Sequence, residues 1–480
     1  MAYFQFVQIS NIFFYNILAL IFNFVIIKVN KINCLEETMI LKKLFFTLLS
    51  FSIFIGSGLI YGAEYFVSAK GKGKEASKDK PAKDLGNIIS KLKAGDTVYI
   101  AGGVYTGKGD NGHYKIEVPV KIIGGYDESF TIRDPWGKYQ TIFSGDNKAS
   151  GFEGKARLLI ELHLKYNNLT KKSPENQVMI DGIIVDNGDR NQYSNGDKKI
   201  ERYANPADKK NASPQTPGIQ VTSGKFVDVT VQNCVVINTA AAGGAIHVAG
   251  NKENKILIHN NLVVNNTGSG IYASTVFHIN KKDITPKELA TLPSFEISNN
   301  TVLFSWKFGP IDEFGGEGLK MDDNLSVTAS NNVFGFGDVF GVDNIRKARF
   351  LKLKDNLITG NKKGDYREWN TVMLLNEMED EAELVADDST GNISDKIDIP
   401  APKAWADIYA GRKIISRAEV EKDVKASNSS ANDIRGMLGL PLKGNNVKDD
   451  SNVWLHRFPL ADALKIGMKE FKGKYGCKKP

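Results

Sequence analysis

Val231-Gln-Asn-Cys-Val-Val236, Ile258-His-Asn-Asn-Leu-Val263, Ile297-Ser-Asn-Asn-Thr-Val302, Ala329-Ser-Asn-Asn-Val-Phe334 and Leu353-Lys-Asp-Asn-Leu-Ile358 are five copies of one phrase. Each is an apolar strand, a polar corner and a second apolar strand. Aligned, one column reads Cys234, Asn261, Asn300, Asn332, Asn356, at intervals of 27, 39, 32 and 24 residues. A looser copy, Ile180-Asp-Gly-Ile-Ile-Val185, fits the same frame. Between the copies runs a second set of short strands, each opened by a small residue: Gly218-Ile-Gln-Val221, Ala245-Ile-His-Val248, Gly270-Ile-Tyr-Ala273 and Gly318-Leu-Lys-Met321.

Two strand types recurring in fixed order at this period define a solenoid. Apolar residues alternate with period two, and Val, Ile and Thr prevail where a helix would want Ala, Leu and Glu, so helical repeats are excluded. The unit is one turn of a parallel β-helix, an all-β solenoid expected to have roughly ten coils. Coils stack about 4.8 Å apart, so equivalent residues lie above one another. A buried amide costs free energy unless its donor and acceptor are both used, and stacked identical amides satisfy each other. Cys234, Asn261, Asn300, Asn332 and Asn356 are therefore predicted to form an internal ladder, with asparagine also supplying the left-handed backbone of a sharp corner.

The chain has 480 residues, 42% hydrophobic and 24% charged, enough for one long core with additions. Three cysteines, Cys34, Cys234 and Cys477, build no disulfide framework, and metal-ligand spacings of Cys or His are absent. Of the net charge of +7, Lys42 and Lys43 supply two; residues 1–38 cancel, leaving +5 from residue 64 onward. That balance suits an acidic polymer, whereas the lack of any recognition motif argues against nucleic acid.

Residues 39–63 read as a secretory signal peptide: Lys42-Lys43, the apolar run Leu44 to Ile60, and Tyr61-Gly-Ala63 as cleavage site. Residues 1–38 hold another apolar stretch, Ile12 to Ile27, and are either an over-long start upstream of Met39 or a membrane-anchor extension. Cleavage after Ala63 would leave no membrane span in the mature chain. The protein is expected to be exported: periplasmic, secreted or on the cell surface. Asp84 to Lys93 has helical spacing and is predicted to cap the first coil. The solenoid is assigned to 64–363. An acidic segment, a linker and a C-terminal capping region fill 364–480, and the last stretch, from Ala404, is taken as a cover for the final coil. Thr285 to Ala290 reads as a helical turn inside an insertion.

The opening Tyr65-Phe-Val-Ser68 followed by Ala82-Lys-Asp-Leu-Gly-Asn-Ile-Ile-Ser-Lys-Leu-Lys-Ala-Gly-Asp-Thr-Val-Tyr-Ile-Ala-Gly-Gly-Val-Tyr-Thr-Gly107 resembles right-handed parallel β-helix proteins of the pectin-lyase-like superfamily, which implies a right-handed parallel β-helix here. Its layout is similar to that of the lyases acting on chondroitin-type and alginate-type uronic polymers. Ile122-Ile-Gly-Gly-Tyr126 through Asp146 resembles a segment of exported β-helix proteins. The superfamily includes lyases, hydrolases, isomerases and non-enzymes, so the resemblance implies a fold and leaves the activity open. Many such lyases use Ca²⁺ to bridge a substrate carboxylate; Asp322 and Asp323 are the adjacent acids available for it. The aspartate pairs and Gly-His-Gly turn of the superfamily's polygalacturonases are absent here.

Side chains fill the lumen of a β-helix, so function belongs on an outer face. Alternation points Gln220, His247, Tyr272 and Lys320 outward in one surface column, with Asp322 beside it. β-Elimination on a uronic polymer needs a cation to neutralise the carboxylate, a base for the C5 proton and an acid for the departing oxygen. His247, Tyr272, Lys320 and Asp322 are the candidate catalytic residues; Gln220, Trp306 and Glu317 are candidates for substrate binding. Hydrolysis instead needs paired carboxylates, for which Asp312, Glu313, Glu317, Asp322 and Asp323 are available. Trp306, Phe308 and Phe314 either stack on sugar or pin the loop that carries them. The partner expected from this set is an acidic polysaccharide, bound and either cleaved or simply held; the rival is a non-catalytic surface protein binding glycan or protein through the same face.

Overall fold

A computed structural model describes residues 62–107, 112–144, 156–187, 218–239, 243–279, 284–306, 315–381, 384–386, 388–397, 399 and 458–480. The apolar stretch 12–27, nearly all of the 39–63 leader, the excursion 188–217 and the helical pattern at 417–424 lie outside them, as do Phe308, Asp312, Glu313 and Phe314.

From Thr97–Ala101 to Gly364–Glu368 the chain winds through three parallel sheets in strict rotation. Sheet I runs from Glu64–Val67 to Phe350–Lys354 in nine strands, sheet II from Gly103–Tyr105 to Leu357–Thr359 in eight. Sheet III starts at Tyr114–Ile116 and reaches Gly364–Glu368, with Thr371–Met373 added antiparallel at its edge. Strand n of each sheet pairs with its equivalent one coil later, as Val229↔Ile256, Val235↔Leu262 and Ile219↔Ile246 illustrate. The fold is a parallel β-helix. The described residues complete eight coils where roughly ten were expected.

The predicted ladder occupies the corner between sheets I and II. Asn261 donates from its backbone N and its Nδ2 to Asn300 Oδ1, at 3.0 and 2.9 Å. Asn300 does the same to Asn332 Oδ1 (both 2.9 Å) and Asn332 to Asn356 Oδ1 (3.1 and 2.9 Å). Each Nδ2 also reaches a carbonyl on the facing strand, as Asn300 does to Ile258 O at 2.9 Å. Every donor and acceptor is thereby used in a place with no water. The ladder extends one rung further than the sequence repeat, to Asn392. At its other end Cys234 N donates to Asn261 Oδ1 at 3.0 Å, and burial pushes the Cys234 thiol up to about 12.

The residue before each rung turns the corner. Gly182, Asn233, Asn260, Asn299, Asn331 and Asp355 have φ of 68, 54, 53, 55, 54 and 52°, the left-handed region that Gly, Asn and Asp enter most readily. In each Asn-Asn pair, the first thus supplies the backbone shape of the corner and the second the hydrogen bonds of the internal ladder.

One continuous apolar cluster fills the lumen from Val67 to Ala386. Its N-terminal end is closed by Leu85, Ile88 and Leu92, all buried. The predicted capping helix is two short 3₁₀ turns, Leu85–Asn87 and Ile89–Lys91, the first capped by Asp84 accepting from Gly86 N at 2.8 Å. Gly86, Asn87 and two successive isoleucines are poor material for a continuous α-helix. At the other end Met373 and Ala386 are buried, and Leu375, Met378, Leu384 and Val385 pack on the core. Closure of the last coil thus falls to residues 371–386.

Residues 458–480 lie instead along the outside of sheet II, whose outward residues Ile184, Val235, Leu262, Val264, Leu303 and Val333 are apolar. Helix Leu460–Gly467 covers them, with Phe458, Phe471, Tyr475 and Cys477 also buried there. Two corner asparagines hold this strap by its backbone. Asn238 accepts from Phe458 N (2.9 Å) and donates to Phe458 O (3.0 Å); Asn260 treats Lys478 in the same way, at 2.7 and 3.0 Å. The insertion read as a helical turn is a short α-helix, Pro286–Leu289, with a capping box between Thr285 and Glu288.

Candidate functional site

Sheet III carries the column expected from alternation. The register sets Gln220 opposite His247, His247 opposite Tyr272, Tyr272 opposite Lys320 and Lys320 opposite Asp343. Between them Ile219, Ile246, Ile271 and Leu319 point into the lumen, fully buried, which fixes the direction of the polar residues. A one-residue slip would put His247 and Lys320 in the core, so apolar burial enforces the surface line.

The rings of His247 and Tyr272 stack, with centroids 4.6 Å apart and planes within 18°. Lys320 Nζ stands 5.5 Å from the Tyr272 centroid on its ring. The Tyr272 hydroxyl donates to Asp322 Oδ1 at 2.9 Å, and Arg346 Nε lies 3.4 Å from the same oxygen. His247 Nε2 is 2.7 Å from Ser274 Oγ. Burial, reinforced by the Lys320 charge, lowers His247 to about 4, so it is neutral in ordinary buffers. Burial and then the Asp322 charge raise Tyr272 well above the usual phenol range, keeping its proton in place. Burial likewise raises Asp322, against the opposing pull of the Tyr272 hydrogen bond and Arg346. A neutral imidazole, a protonated phenol and a fixed cation therefore share one strip of surface.

Two residues expected to meet substrate are placed elsewhere. Trp306 is fully buried in the cluster on the outside of sheet II, its Nε1 donating to Asn265 Oδ1 at 2.7 Å. Alternation from Val302, which faces the lumen, would turn Trp306 inward; Phe304, at φ 60°, breaks the alternation, so Trp306 points outward and the C-terminal strap covers that sheet. Glu317 has no exposed surface. Its Oε2 accepts from Ser269 Oγ at 2.8 Å, and burial raises its carboxyl, countered by Lys320. It underlies the column as a support and does not meet a polymer directly. Gln220 remains half-exposed at one end of the column.

Alternation read further along would have found more. Asp343 continues the column's register but is fully buried, gripped by Arg367, Nε to Oδ1 at 2.8 Å and Nη2 to Oδ2 at 2.6 Å, while the guanidinium lies 4.4 Å from the Phe340 ring centroid. Gly341, a small opener like Gly318, was the available signal. For Ca²⁺, Asp322 Oδ1 is already engaged by Tyr272 and Arg346, and among the described residues no group of three or more His, Cys, Asp or Glu is placed to hold a metal ion.

A second surface feature lies on sheet I: a groove of about 500 Å³ lined by the cross-strand row Met179, Thr230, Leu257 and Glu296 together with Asp228 and Lys255. Among the described residues no helix is long and apolar enough to cross a membrane.

No protein-family model and no curated protein sequence matches the chain. Among solved structures, the crystal structure of pectate lyase Pel9A is similar at 12% identity and a TM-score of 0.33, over 70% of this chain and 81% of that one. A rhamnogalacturonan lyase is similar at 12% identity and a TM-score of 0.25, over 65% and 85%. A complex of XylC with xylose gives 12% identity and 0.24, over 64% and 62%.

Proposed function

We propose that this β-helix binds an acidic polysaccharide along the outer face of sheet III and cleaves it by β-elimination. The observation that carries the reading is the rung register, which lines up His247, Tyr272 and Lys320 with Asp322 on the Tyr272 hydroxyl. Lys320 neutralises the uronate carboxylate and so acidifies the C5 proton. His247, held neutral by burial, takes that proton; the C5–H electron pair forms the C4–C5 double bond and the C4–O bond breaks. Tyr272 gives its proton to the departing oxygen. Asp322, bonded to that hydroxyl, is a positioning residue. Export through the 39–63 leader accords with a substrate outside the cytoplasm.

Hydrolysis is less well served, because Glu317 is sealed from solvent and Asp322 is occupied by Tyr272 and Arg346. Incubating purified protein with polygalacturonate, alginate and chondroitin-type polymers tests the reading: the ultraviolet absorbance of an unsaturated uronic end should grow with wild type and vanish with Tyr272→Phe. Reducing sugar released without that absorbance would favour hydrolysis and refute the elimination. The non-catalytic rival uses this same face; a variant of it, glycan held in the sheet I groove away from the column, has the groove itself in its favour. Its signature is glycan binding that His247→Ala leaves intact, with no product of either kind.

A further inference from the structure

The whole positive balance of the chain beyond the leader sits at one end. Residues 70–93 carry eight lysines against Glu75, Asp79 and Asp84, a balance of +5, equal to that of residues 64–480 together. The structure shows how they are displayed. In Lys70-Gly-Lys-Gly-Lys74 the glycines face the returning chain: a Cβ on Gly71 would meet Pro81 O at 2.4 Å, and one on Gly73 would meet Lys80 O at 2.0 Å. Gly73 N donates to Pro81 O at 2.9 Å, while Phe66 N donates to Ala76 O and Ser68 N to Ala82 O, pinning the loop to the first strand. The glycines are thus committed inward, so Lys70, Lys72 and Lys74 stand exposed on the other side as a row, with Cα atoms at most roughly 7 Å apart.

Two grooves of about 550 and 500 Å³ adjoin at this row, sharing Lys70 and Glu128 in their walls. The first also takes in Lys72, Lys74 and Lys80; the second leads on to Lys138 and Tyr139, whose ring has the Lys138 ammonium 5.3 Å from its centroid. Glu75, Asp79 and Glu128 share these walls, so cations and carboxylates alternate along a path with a net positive end.

We infer that this N-terminal end is a second binding surface, for a linear polysaccharide bearing carboxylate or sulfate groups. A row of cations along a groove fits an extended polyanion better than a compact anion. All eight bases are lysines; arginine, whose fork suits phosphate and nucleic acid, does not occur between 64 and 93. Within 64–93 there is no exposed large apolar side chain, and Val104, in the lining of the second groove, is too small a wedge to anchor in a bilayer by itself. The polymer class is shared with the reading above, but this surface lies off the sheet III column and stands whether or not the column cleaves anything.

The test uses the full chain and a Lys70→Ala/Lys72→Ala/Lys74→Ala/Lys80→Ala variant. Binding is measured against polygalacturonate, its methyl-esterified form, dextran sulfate, single-stranded DNA and vesicles containing phosphatidylglycerol. Polygalacturonate or dextran sulfate should bind wild type, weaken steeply with added salt and lose about tenfold or more in the variant, while the esterified polymer stays weak. In a His247→Ala/Lys320→Ala background, which removes the column's own contribution, the same four lysine substitutions should still cost about tenfold or more, which separates this surface from the column. The inference is overturned if the variant binds as wild type does, if esterification makes no difference, or if only DNA or vesicles bind. Because the lysines are exposed, an unchanged melting temperature shows that the variant is folded.

Discussion

Asn299 and Asn300 stand side by side and answer to different physics. Asn299 has φ 55° and serves as a backbone corner; Asn300 is fully buried and exchanges four hydrogen bonds with its neighbours above and below. Asn300→Ala should strand an amide on Asn261 and cost about 2–4 kcal/mol in chemical denaturation, since each orphaned buried group costs about 1–3 kcal/mol. Asn299→Gly should be nearly neutral, and Asn299→Ala should lose about 1 kcal/mol to the left-handed backbone. Equal losses at the two positions would contradict the division. At the column, the chemistry of two residues makes a kinetic prediction. Tyr272→Phe should lower turnover by roughly 10²–10⁴-fold, the usual contribution of a positioned acid. Because His247 is lowered to about 4, the acid limb of kcat/KM should fall near pH 4 and not near the 6.5 of a free imidazole. The ladder was legible in the sequence because a buried amide leaves a one-residue signature at fixed intervals. Glu317 was misread because nothing in a lone Glu before Gly318 says that it will be sealed.

Among the elements, the strap of residues 458–480 is the one that alternation could not foresee. Period-two patterning says which side chains leave the lumen, but not whether water or another piece of chain receives them. On sheet II the outward residues are as apolar as the inward ones, a pattern of strands buried on both faces. Of the two readings open for Trp306, stacking on sugar or pinning its own segment, burial beneath the strap leaves the second. The strap fits tightly at Gly467, where a Cβ would come within 2.9 Å of both the Trp136 ring and Leu262 Cδ2. Gly467→Leu should consequently lift helix Leu460–Gly467 from the sheet, exposing Trp136 and Trp306 while the lumen holds. The expected readout is a red-shifted tryptophan emission and new binding of a hydrophobic dye, with the far-ultraviolet strand signal retained. Unchanged emission would mean that the strap does not close over the sheet as described. The capping segments show the complementary limit: helical spacing over 84–93 located the cap, but local composition decided that it is built from 3₁₀ turns.

At the scale of the whole molecule, a solenoid is a stack in which each coil leans only on its neighbours, so stability is set by the interfaces and fraying begins at an end. Interior coils were readable because each repeats its neighbour; the ends were not, because each is unique. The C-terminal end holds a buried carboxyl that makes it sensitive to pH. Asp365 lies in the last coil, 6% exposed, accepting from Leu375 N at 3.3 Å, and burial raises it to about 6 from an ordinary value of 3.8. The native state thus holds this proton more tightly than the unfolded chain does. Its contribution is fully present below about pH 3.8 and is lost as pH rises through about 6, and above that the buried charge costs about 3 kcal/mol relative to the neutral acid. Asp365→Asn keeps an acceptor for Leu375 N while removing the charge. It should therefore stabilise the protein at pH 8 and have little effect at pH 4, with the gain appearing first as slower hydrogen exchange in residues 364–386. Stabilisation of the same size at both pH values would show that the carboxyl's charge is not what loosens the end coil.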